Sequence, residues 1–435
     1  MTKTTVTAAP LSLLHLRTFR MVARMGSASR AAAALFRAQS AITRSIQELE
    51  TALAAALFER KHSGMLPTAV GAAVLACCDG IFAELEELAQ WCAAQHARRR
   101  VLAAGTLPAY LLNSRRLQLF AALSRHRHMP TTAAAFGITQ PAVSGAIRSL
   151  ESGSGLSLFH RNARGTSLTA EGDTFLLHVR RVLNELRHIP DVVAELQGMV
   201  RGTVTVGALP LGRTLILPAA IAALNRIHPG VHVVTDESAY EILVAGLRAG
   251  DIDFILGALR PHDGASGLKT ECLMSEEMVV LARAGHPLAQ RSGLTISDVR
   301  DAQWILPRSH APARALFENQ FRRAKLKAPA PSLETADLAI IRGVLLRTDM
   351  LAALSAQQLF YECESEQLAV LDLALQGTRR DVGLTVPIHG VQSPAARSLI
   401  EMIRASIPEV ISTTQTPGHP GAACPVTGPR KRLGA

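Results

Sequence analysis

The chain repeats itself within its first 172 residues, and this repeat constrains the fold more than any other feature of the sequence. A gapless shift of 101 residues superposes residues 16–71 on 117–172. The identical pairs include Leu16/Leu117, Phe19/Phe120, Ala32/Ala133, Gln39/Gln140, Ala41/Ala142, Ile46/Ile147, Leu49/Leu150, Glu50/Glu151, Leu57/Leu158, Phe58/Phe159, Arg60/Arg161, Gly64/Gly165, Thr68/Thr169 and Gly71/Gly172. Because identities at one fixed offset mark a structural unit that is used more than once, we expect two copies of one small fold in tandem.

The second copy predicts two helices joined by a tight turn. Pro130 to Phe136 forms a short Ala-rich helical segment, and Gly137 interrupts it. Thr139 is a candidate N-cap, and Pro141 lies in the first turn of the next helix, where its missing N–H has no intrahelical partner to lose. Such a pair holds one helix across the DNA backbone and places the next in the major groove. The polar residues predicted to face bases and phosphates are Gln140, Ser144 and Arg148.

A basic hairpin follows this helix pair. Two short strands are predicted on either side of a turn that contains Arg164 and Gly165, and Arg161 lies on the first strand. Cations at the tip of such a hairpin suit contacts with DNA phosphates. We therefore interpret the hairpin as a wing.

These motifs resemble those of LysR-type transcriptional regulators. The segments 139–151, 158–161 and 165–172 match the family's helix-turn-helix, L-F-x-R and wing patterns almost throughout, and Ser154 departs from the usual Leu. The resemblance implies winged helix-turn-helix binding to double-stranded promoter DNA, although family members usually carry one such unit. The residues that it implicates in the second copy are Thr139, Gln140, Pro141, Ser144, Arg148, Arg161 and Arg164.

The first copy follows the pattern less closely. Its candidate DNA-binding residues are Gln39, Ser40, Thr43, Arg44 and Arg60. The departures are Ser40 in place of Pro141, Arg37 in place of Ile138, and Ser63 and Pro67 in place of Arg164 and Leu168. An Arg that pointed into a small core would be costly, so we expect Arg37 to turn outward. Whether this copy contacts bases, or only packs and dimerises, stays open.

A long amphipathic helix is predicted after each wing, over about 72–98 and 173–197. Pro190 is expected to kink or end the second helix. The resemblance implies linker helices that pair between two subunits. Here both helices belong to one chain, with residues 99–113 long enough to turn the chain back, so we expect an internal pair. We expect Leu75, Phe82 and Leu85 to pack against Leu176, Leu183 and Leu186. The alternative is the usual exchange of linker helices between subunits, which would leave the first copy as an appendage.

From Arg201 onward, strands and helices alternate as in an open α/β sheet. This half resembles the family's effector-binding region, a two-lobed fold like that of periplasmic binding proteins, most clearly at Leu247 to Asp253 and His286 to Leu288. The resemblance implies a first lobe of about 202–277 plus 381–411 and a second lobe of about 278–380.

The fold class predicted is therefore a multidomain chain with two α-rich winged helix-turn-helix units, long linker helices and a two-lobed α/β domain. The expected boundaries are 11–71 for the first winged unit, 72–112 for its linker helix and connector, 113–172 for the second winged unit, 173–200 for its linker helix, 201–411 for the effector-binding domain and 412–435 for a disordered tail.

Clefts between such lobes bind small ligands beside the carboxyl ends of strands, and helix N-termini there suit anions. The effector-binding candidates are Leu209, Arg213, Thr214, Ser309, His310 and Thr335. Any single Ser or Thr among them is as well explained by helix capping. We expect a small anionic metabolite as the effector.

The charge distribution supports a polyanionic partner. Residues 1–200 hold 22 Lys and Arg against 13 Asp and Glu, a net charge of +9, whereas residues 201–435 hold 24 against 22, a net charge of +2. The six cysteines form neither a C-x-x-C pair nor a Cys/His cluster, so we expect reduced thiols, a cytoplasmic protein and neither metal nor cofactor. The sequence contains no run of 18 apolar residues, so we expect no membrane-spanning helix.

The predicted function is a DNA-binding transcriptional regulator that senses a small molecule and acts as a homo-oligomer. No catalytic motif is present, which disfavours an enzyme. The alternatives are an architectural DNA-binding protein with an inert sensor domain and a small-molecule-binding enzyme.

Overall fold

The structure, a computed structural model, describes residues 11–61, 64–95, 107–162, 165–260, 267–388 and 392–414. The side chains of residues 60, 61, 161, 162, 413 and 414 lie outside this description. So do Arg164, most of the predicted connector, and residues 415–435 of the tail that we expected to be disordered.

The first repeat comprises three helices, a hairpin and a long helix. These are α1 (Leu13–Met25), α2 (Ala28–Ala34), α3 (Gln39–Leu53), β1 (Phe58–Lys61), β2 (Gly64–Pro67) and α4 (Ala69–Ala94). Side chains of Ser12 and Ser27 cap α1 and α2, and Gly26 ends α1 with φ of +63°. Thr68 caps α4 by accepting from the Gly71 N–H at 2.9 Å.

The second repeat has the same order of elements. These are α5 (Ser114–His126), α6 (Met129–Ala135), α7 (Gln140–Ser154), β3 (Phe159–Asn162), β4 (Gly165–Leu168) and α8 (Ala170–Leu196). Thr139 is the N-cap residue of α7, as predicted, but its side chain makes no capping hydrogen bond. Pro141 lies in the first turn. The connector between the repeats ends in a short 3-10 helix over Ala109–Leu112.

Several matching residues of the two repeats support the backbone. Glu50 and Glu151 each accept a hydrogen bond from the backbone N–H that precedes the hairpin, at 2.8 and 3.1 Å. A Cβ atom on Gly71 or Gly172 would lie 2.1 Å from a carbonyl oxygen, of Leu57 or Leu158 respectively. These two pairs of identities therefore preserve turns and close backbone contacts, and most of the apolar identities lie in the core.

The two long helices pack on each other antiparallel within one chain. Gly80 of α4 contacts Glu185 of α8, whereas Glu84, one turn further along α4, contacts His178 and Arg181. The apolar residues expected at this seam all belong to, or pack against, a single core that spans residues 13–193: Leu75, Phe82, Leu85, Leu176, Leu183 and Leu186. The repeats thus share one core.

Pro190 does not end the second long helix, which was one of the two outcomes expected of it, since α8 continues to Leu196. Proline removes one backbone hydrogen bond and crowds the carbonyl four residues earlier. Ile189, Val192 and Val193 lie beside it and are buried. We attribute the continuity of the helix to this burial, which offsets the local loss.

A polar cluster crosses the same seam. The Glu84 carboxylate accepts from His178 Nδ1 at 2.6 Å and from Arg181 Nη1 at 3.2 Å. Glu185 lies close by and has no hydrogen bond at Oε2. Burial, and then the charge of Glu84, raise the pKa of Glu185 to about 7.

The C-terminal half contains two five-stranded sheets. The strands are β5 (Gly202–Ala208), β6 (Val231–Asp236), β7 (Phe254–Ala258), β8 (Leu268–Glu276), β9 (Met278–Arg283), β10 (Trp304–Leu306), β11 (Leu333–Glu334), β12 (Leu351–Ser355), β13 (Leu368–Val370) and β14 (Arg380–Pro387). The first sheet has the order β6-β5-β7-β14-β8 and the second β11-β10-β12-β9-β13. The chain crosses between them at residue 277 and returns through 371–379, and these crossings define two lobes.

Six helices cover the sheets in the described part of the chain. They are α9 (Ile216–Ile227), α10 (Tyr240–Ala249), α11 (Pro312–Arg323), α12 (Leu338–Leu345), α13 (Phe360–Glu364) and α14 (Pro394–Thr414). The last helix packs on β5 and α9 and so belongs to the first lobe. It ends at Thr414, two residues beyond the start expected for the tail, because Ile403, Ile407 and Val410 anchor it in that lobe's core.

The second long helix also contacts the first lobe. Arg180 Nη1 lies 3.1 Å from Asp251 Oδ2, and Arg181 Nε donates to the Arg248 carbonyl at 2.8 Å. Near its end, Glu195 pairs with Arg397 of α14. Within the described residues, no helix combines the length and apolar character needed to cross a membrane.

We predict that a fragment of residues 11–200 is a monomer in light scattering across a wide range of concentrations. Its core is separate from the clusters of the C-terminal lobes, and its two long helices cover each other's apolar faces. The matched control is fragment 107–200, which lacks α4 and so exposes the apolar face of α8. That control should self-associate, whereas a dimer of the longer fragment would contradict the internal pairing.

Candidate nucleic-acid interface and effector cleft

The polar face of α7 is open to solvent. Val143, Ile147 and Leu150 are fully buried, which fixes the orientation of the helix. The residues predicted to contact DNA lie on the other side: Thr139, Gln140, Pro141 and Arg148 are exposed and Ser144 is half-buried. Among the described residues, the side chains of Gln140, Ser144 and Arg148 form no hydrogen bond. Their donors and acceptors are therefore available to a partner.

The equivalent face of α3 is engaged within the chain. Gln39 Oε1 accepts from Ser29 Oγ at 3.1 Å, and Thr43 Oγ1 donates to the Gln39 carbonyl at 3.2 Å. Arg44 Nε donates to Glu48 Oε1 at 2.8 Å. The hydrogen bond from Arg44 is the main cause that lowers the pKa of Glu48, so this carboxylate is charged at neutral pH. Ser40 is exposed and makes no side-chain hydrogen bond within the described residues.

The turns before the two helices differ as well. Arg115 stacks over Phe136, 4.4 Å from the ring centroid, and also donates to its carbonyl at 3.0 Å. In the first repeat, Phe36 occupies the position of Gly137 with φ of +51° and is 97% exposed. Arg37 is exposed, as predicted. The first turn therefore has a strained aromatic residue where the second has glycine.

The wing positions are only partly described. Arg60 lies on β1 and Arg161 on β3, both with side chains outside the description, and Arg164 lies outside the described residues altogether. Each second strand is tied to the end of the first helix of its repeat, through Met65 N to the Gly26 carbonyl at 3.0 Å and Thr166 N to the Arg127 carbonyl at 3.1 Å. The candidate wing is thus fixed to the helical unit.

Ser154, where the second repeat departs from the Leu that is usual in the family, is the last residue of α7. Ser154 is buried and donates to the Leu150 carbonyl at 2.8 Å, which satisfies its hydroxyl. A Cβ on the neighbouring Gly153 would lie 2.4 Å from Tyr110 of the connector. The small residues at this helix end thus leave room for the chain that joins the repeats.

In the C-terminal half, three predicted residues lie on the loop after β5. Leu209 is buried, and Arg213 and Thr214 are half-buried. Arg213 Nε donates to the Ala208 carbonyl at 2.8 Å, and its guanidinium makes no other hydrogen bond among the described residues. Thr214 Oγ1 donates to the Gln358 carbonyl of the second lobe at 3.2 Å. This loop does not lead directly into α9, because a 3-10 helix over Pro210–Gly212 comes first.

The other candidates lie on the second lobe. Ser309 and His310 are exposed in the loop between β10 and α11. Thr335 was expected to start a helix, but it does not cap α12: Asp337 does, by accepting from the Ile340 N–H at 2.9 Å. Thr335 Oγ1 instead accepts from the Asp337 N–H at 3.1 Å. Helix capping of α12, the alternative explanation for Thr335, therefore falls to Asp337 two residues further on.

Charged residues from both lobes meet between these loops. Burial lowers the pKa of Arg213, while the carboxylates of Glu237 and Asp337 act in the opposite direction. Arg260 stacks on Tyr240, 3.9 Å from the ring centroid. Sequence reasoning found Arg213 but missed Glu237 and Asp337, because their proximity to Arg213 depends on the tertiary fold and, for Asp337, on how the second lobe faces the first.

A buried ionic group lies at the crossing between the lobes. Arg380 of β14 and Glu276 of β8 are register partners in the first sheet, and Ser355 of the second lobe donates to Glu276. Among the described residues, the buried atoms Glu276 Oε1 and Arg380 Nε and Nη2 have no hydrogen-bond partner. Burial raises the pKa of Glu276 to about 7, against the opposing effects of Ser355 and Arg380.

One group of described residues has the composition of a metal site. Donor atoms of Glu84, Glu87 and His178 lie within 4.8 Å of one another. Glu84 already accepts hydrogen bonds from His178 and Arg181, and the Arg181 guanidinium supplies positive charge at the place where a cation would bind. We interpret the group as an interhelical hydrogen-bond network.

Two family models match the chain. "LysR substrate binding domain" matches residues 197–408, and "Bacterial regulatory helix-turn-helix protein, lysR family" matches twice, over 13–72 and 114–173. Together they define a DNA-binding regulator with an N-terminal helix-turn-helix part and a two-lobed α/β effector-binding domain. The chain belongs to the LysR family of bacterial transcriptional regulators, which confirms the resemblance found in the sequence.

The relatives that it matches are regulators, so the chain is a transcriptional regulator and not an enzyme. HTH-type transcriptional regulator GalR of Pseudomonas putida is 49% identical over 398 residues, 92% of this chain and 98% of that protein. HTH-type transcriptional regulator PcaQ of Agrobacterium fabrum is 30% identical over 299 residues, 68% of this chain but 95% of its own length. PcaQ is therefore shorter by about the length of one repeat.

Solved structures show the same fold. A full-length OxyR variant from Pseudomonas aeruginosa has a TM-score of 0.51 and 22% identity, and covers 68% of this chain and 94% of its own. Full-length CbnR in complex with its target DNA has a TM-score of 0.50 and 20% identity, and covers 68% of this chain and 99% of its own.

We predict that Glu276→Gln removes a pH-dependent loss of stability from the C-terminal domain. Because the pKa of Glu276 is raised from 4.5 to about 7, the folded state holds its proton more tightly than the unfolded state. Stability contributed by this group therefore falls as pH rises from 4.5 to 7, and the full penalty persists above 7. The variant should be more stable than the wild type by about 1 to 3 kcal/mol at pH 8 and similar to it near pH 4.

Thermal unfolding of both proteins between pH 4 and pH 8 measures the difference. The control is Glu277→Gln at the exposed neighbouring position, which should leave the pH profile unchanged. An equal pH dependence in Glu276→Gln and wild type would rule out this role.

Proposed function

We propose that this chain binds promoter DNA through two winged helix-turn-helix units of a single polypeptide and responds to a small anionic effector. The antiparallel packing of α4 on α8 within one chain supports the first part. In the family, the resemblance implies that two subunits supply such a pair. Here the face of α8 that would receive a partner's helix is covered by α4, so one chain presents both recognition helices.

Of the two units, we infer that the second makes the base contacts. Its Gln140, Ser144 and Arg148 are free of intramolecular hydrogen bonds among the described residues, and this is the observation that carries the inference. Arg and Gln side chains in the first turns of a recognition helix can form paired hydrogen bonds with base edges in the major groove. The equivalent of Gln140 in the first unit, Gln39, is already bonded within the chain, and Arg44, an exposed cation on α3, is paired with Glu48.

The double variant Gln140→Ala/Ser144→Ala should lose sequence-specific affinity, because it removes side chains that can contact bases. We expect a loss of about 1 to 3 kcal/mol for each side chain that contacts a base, with non-specific binding unchanged. Fluorescence anisotropy with a selected site and with an unrelated duplex of equal length measures both terms.

The matched control is the double variant Gln39→Ala/Thr43→Ala at the equivalent positions of the first unit, which should have a much smaller effect. Equal specific affinity in the Gln140/Ser144 variant and the wild type would contradict the assignment.

For the effector, we propose a carboxylate or similar anion bound between the lobes beside Arg213. A guanidinium with one hydrogen bond to a carbonyl keeps further donors for an anion, and Asp337, two residues after Thr335 on the second lobe, lies close enough to act on the charge of Arg213. The interlobe contact of Thr214 with Gln358 would change if the lobes moved around a ligand. An architectural protein with an inert sensor domain would show no ligand response.

A thermal-shift screen of small mono- and dicarboxylic acids, each paired with its neutral amide, tests this proposal. An acid that binds should raise the melting temperature as RT ln(1 + [L]/Kd) predicts, and its amide should not. Arg213→Ala should abolish the shift, and Arg226→Ala, an exposed arginine on α9, should retain it. A folded domain that no acid stabilises would favour the architectural alternative.

We also propose that the protein works in the cytoplasm as a homo-oligomer. Five cysteines among the described residues take part in no disulfide, which suits a reducing compartment. Because α4 occupies the seam on α8, assembly beyond one chain would depend on the C-terminal domain.

A further inference from the structure

The two recognition helices share their backbone register but not their surface charge. The internal offset places Glu48 of α3 at the position of Ser149 of α7, and Arg44 at the position of Gly145. The second helix has Arg148 where the first has Gln47. The buried positions match, as in Ile46 and Ile147. The differences therefore lie at exposed or half-buried positions outside the core.

The carboxylate of Glu48 contacts two side chains, those of Arg44 and His15. Its carboxylate accepts from Arg44 Nε at 2.8 Å and lies 3.3 Å from His15 Nε2 of α1. This arrangement neutralises Arg44, the cation that α3 would offer to a phosphate. It also places a carboxylate on a surface that would approach the DNA backbone, where like charges repel.

A second contact engages Gln39, the main candidate for base contacts on α3. Gln39 accepts from Ser29 Oγ at 3.1 Å. The equivalent of Ser29 in the second repeat is Pro130, which has no side-chain donor, and Gln140 stays unbonded within the described residues. In the first repeat, both Gln39 and Arg44 are thus engaged within the chain, whereas Gln140 of the second repeat is not.

We propose that the DNA site of one chain is asymmetric, with one half-site recognised by sequence through α7 and the other contacted by a first unit that Glu48 holds in a weakly binding state. This inference rests on the proposed two-unit binding to DNA. Since both units are covalently joined and packed on one core, the chain cannot exchange its weak unit for a second strong one. The preferred partner is therefore a duplex with base preference on one side only.

The test exchanges the residues at the equivalent position in the full-length chain. Sites are selected from a random duplex library, and the affinity and its salt dependence are then measured for the wild type, Glu48→Ser and the reciprocal Ser149→Glu. The wild type should enrich one half-site. Glu48→Ser should bind the selected duplex at least roughly 5-fold more tightly, with a salt slope steeper by about one ion, because Arg44 becomes free to contact phosphate.

Ser149→Glu should weaken binding and reduce enrichment of the selected half-site, because it introduces the same carboxylate on α7. Glu48→Gln serves as a conservative second variant that keeps a hydrogen-bond acceptor for Arg44 without the charge. It should also bind more tightly than the wild type. Circular dichroism of each variant confirms that the helices are intact.

Two outcomes overturn the inference while leaving DNA binding by the chain in place. One is equal enrichment of two half-sites by the wild type, and the other is unchanged affinity in both Glu48→Ser and Glu48→Gln. Failure of the proposed function gives a different result, because the wild type would then bind no duplex in preference to another and Gln140→Ala/Ser144→Ala would bind as the wild type does.

Discussion

The antiparallel packing of α4 on α8 is the contact on which the rest of the N-terminal half depends. It joins the apolar faces of two repeats into one core that extends from Leu13 to Val193. Neither long helix would be stable with that face in water, because burial of apolar side chains supplies most of the stability of an amphipathic helix. The pairing therefore decides where both recognition helices lie.

One arginine of this seam also contacts the effector-binding domain. Arg181 donates to Glu84 of α4 and to the carbonyl of Arg248 at the end of α10. Arg181, on α8 of the second repeat, therefore links the end of α10 to the first repeat. Such a contact is a physical connection between the domains, and Glu185 beside it adds a buried carboxyl whose pKa lies near neutrality.

The two repeats show which residues of a duplicated unit serve the fold and which serve binding. Glu50 and Glu151, and Gly71 and Gly172, make the same contacts in each copy, since backbone geometry permits few alternatives there. Glu48 is exposed and Ser149 is half-buried, and positions outside the core tolerate substitution with little effect on stability. These differences between the repeats therefore lie outside the buried core of α3 and α7.

The sequence by itself determined the repeat, the helix boundaries within a few residues, the alternating α/β half and the candidate residues of α7. These depend on local spacing, turn residues and caps, which act over a few positions. Tertiary structure alone decided the continuation of α8 through Pro190, the Asp337 cap near Thr335, and the meeting of Arg213 with Glu237 and Asp337. Those outcomes depend on burial and on charges distant in sequence, whose free energies no local pattern contains.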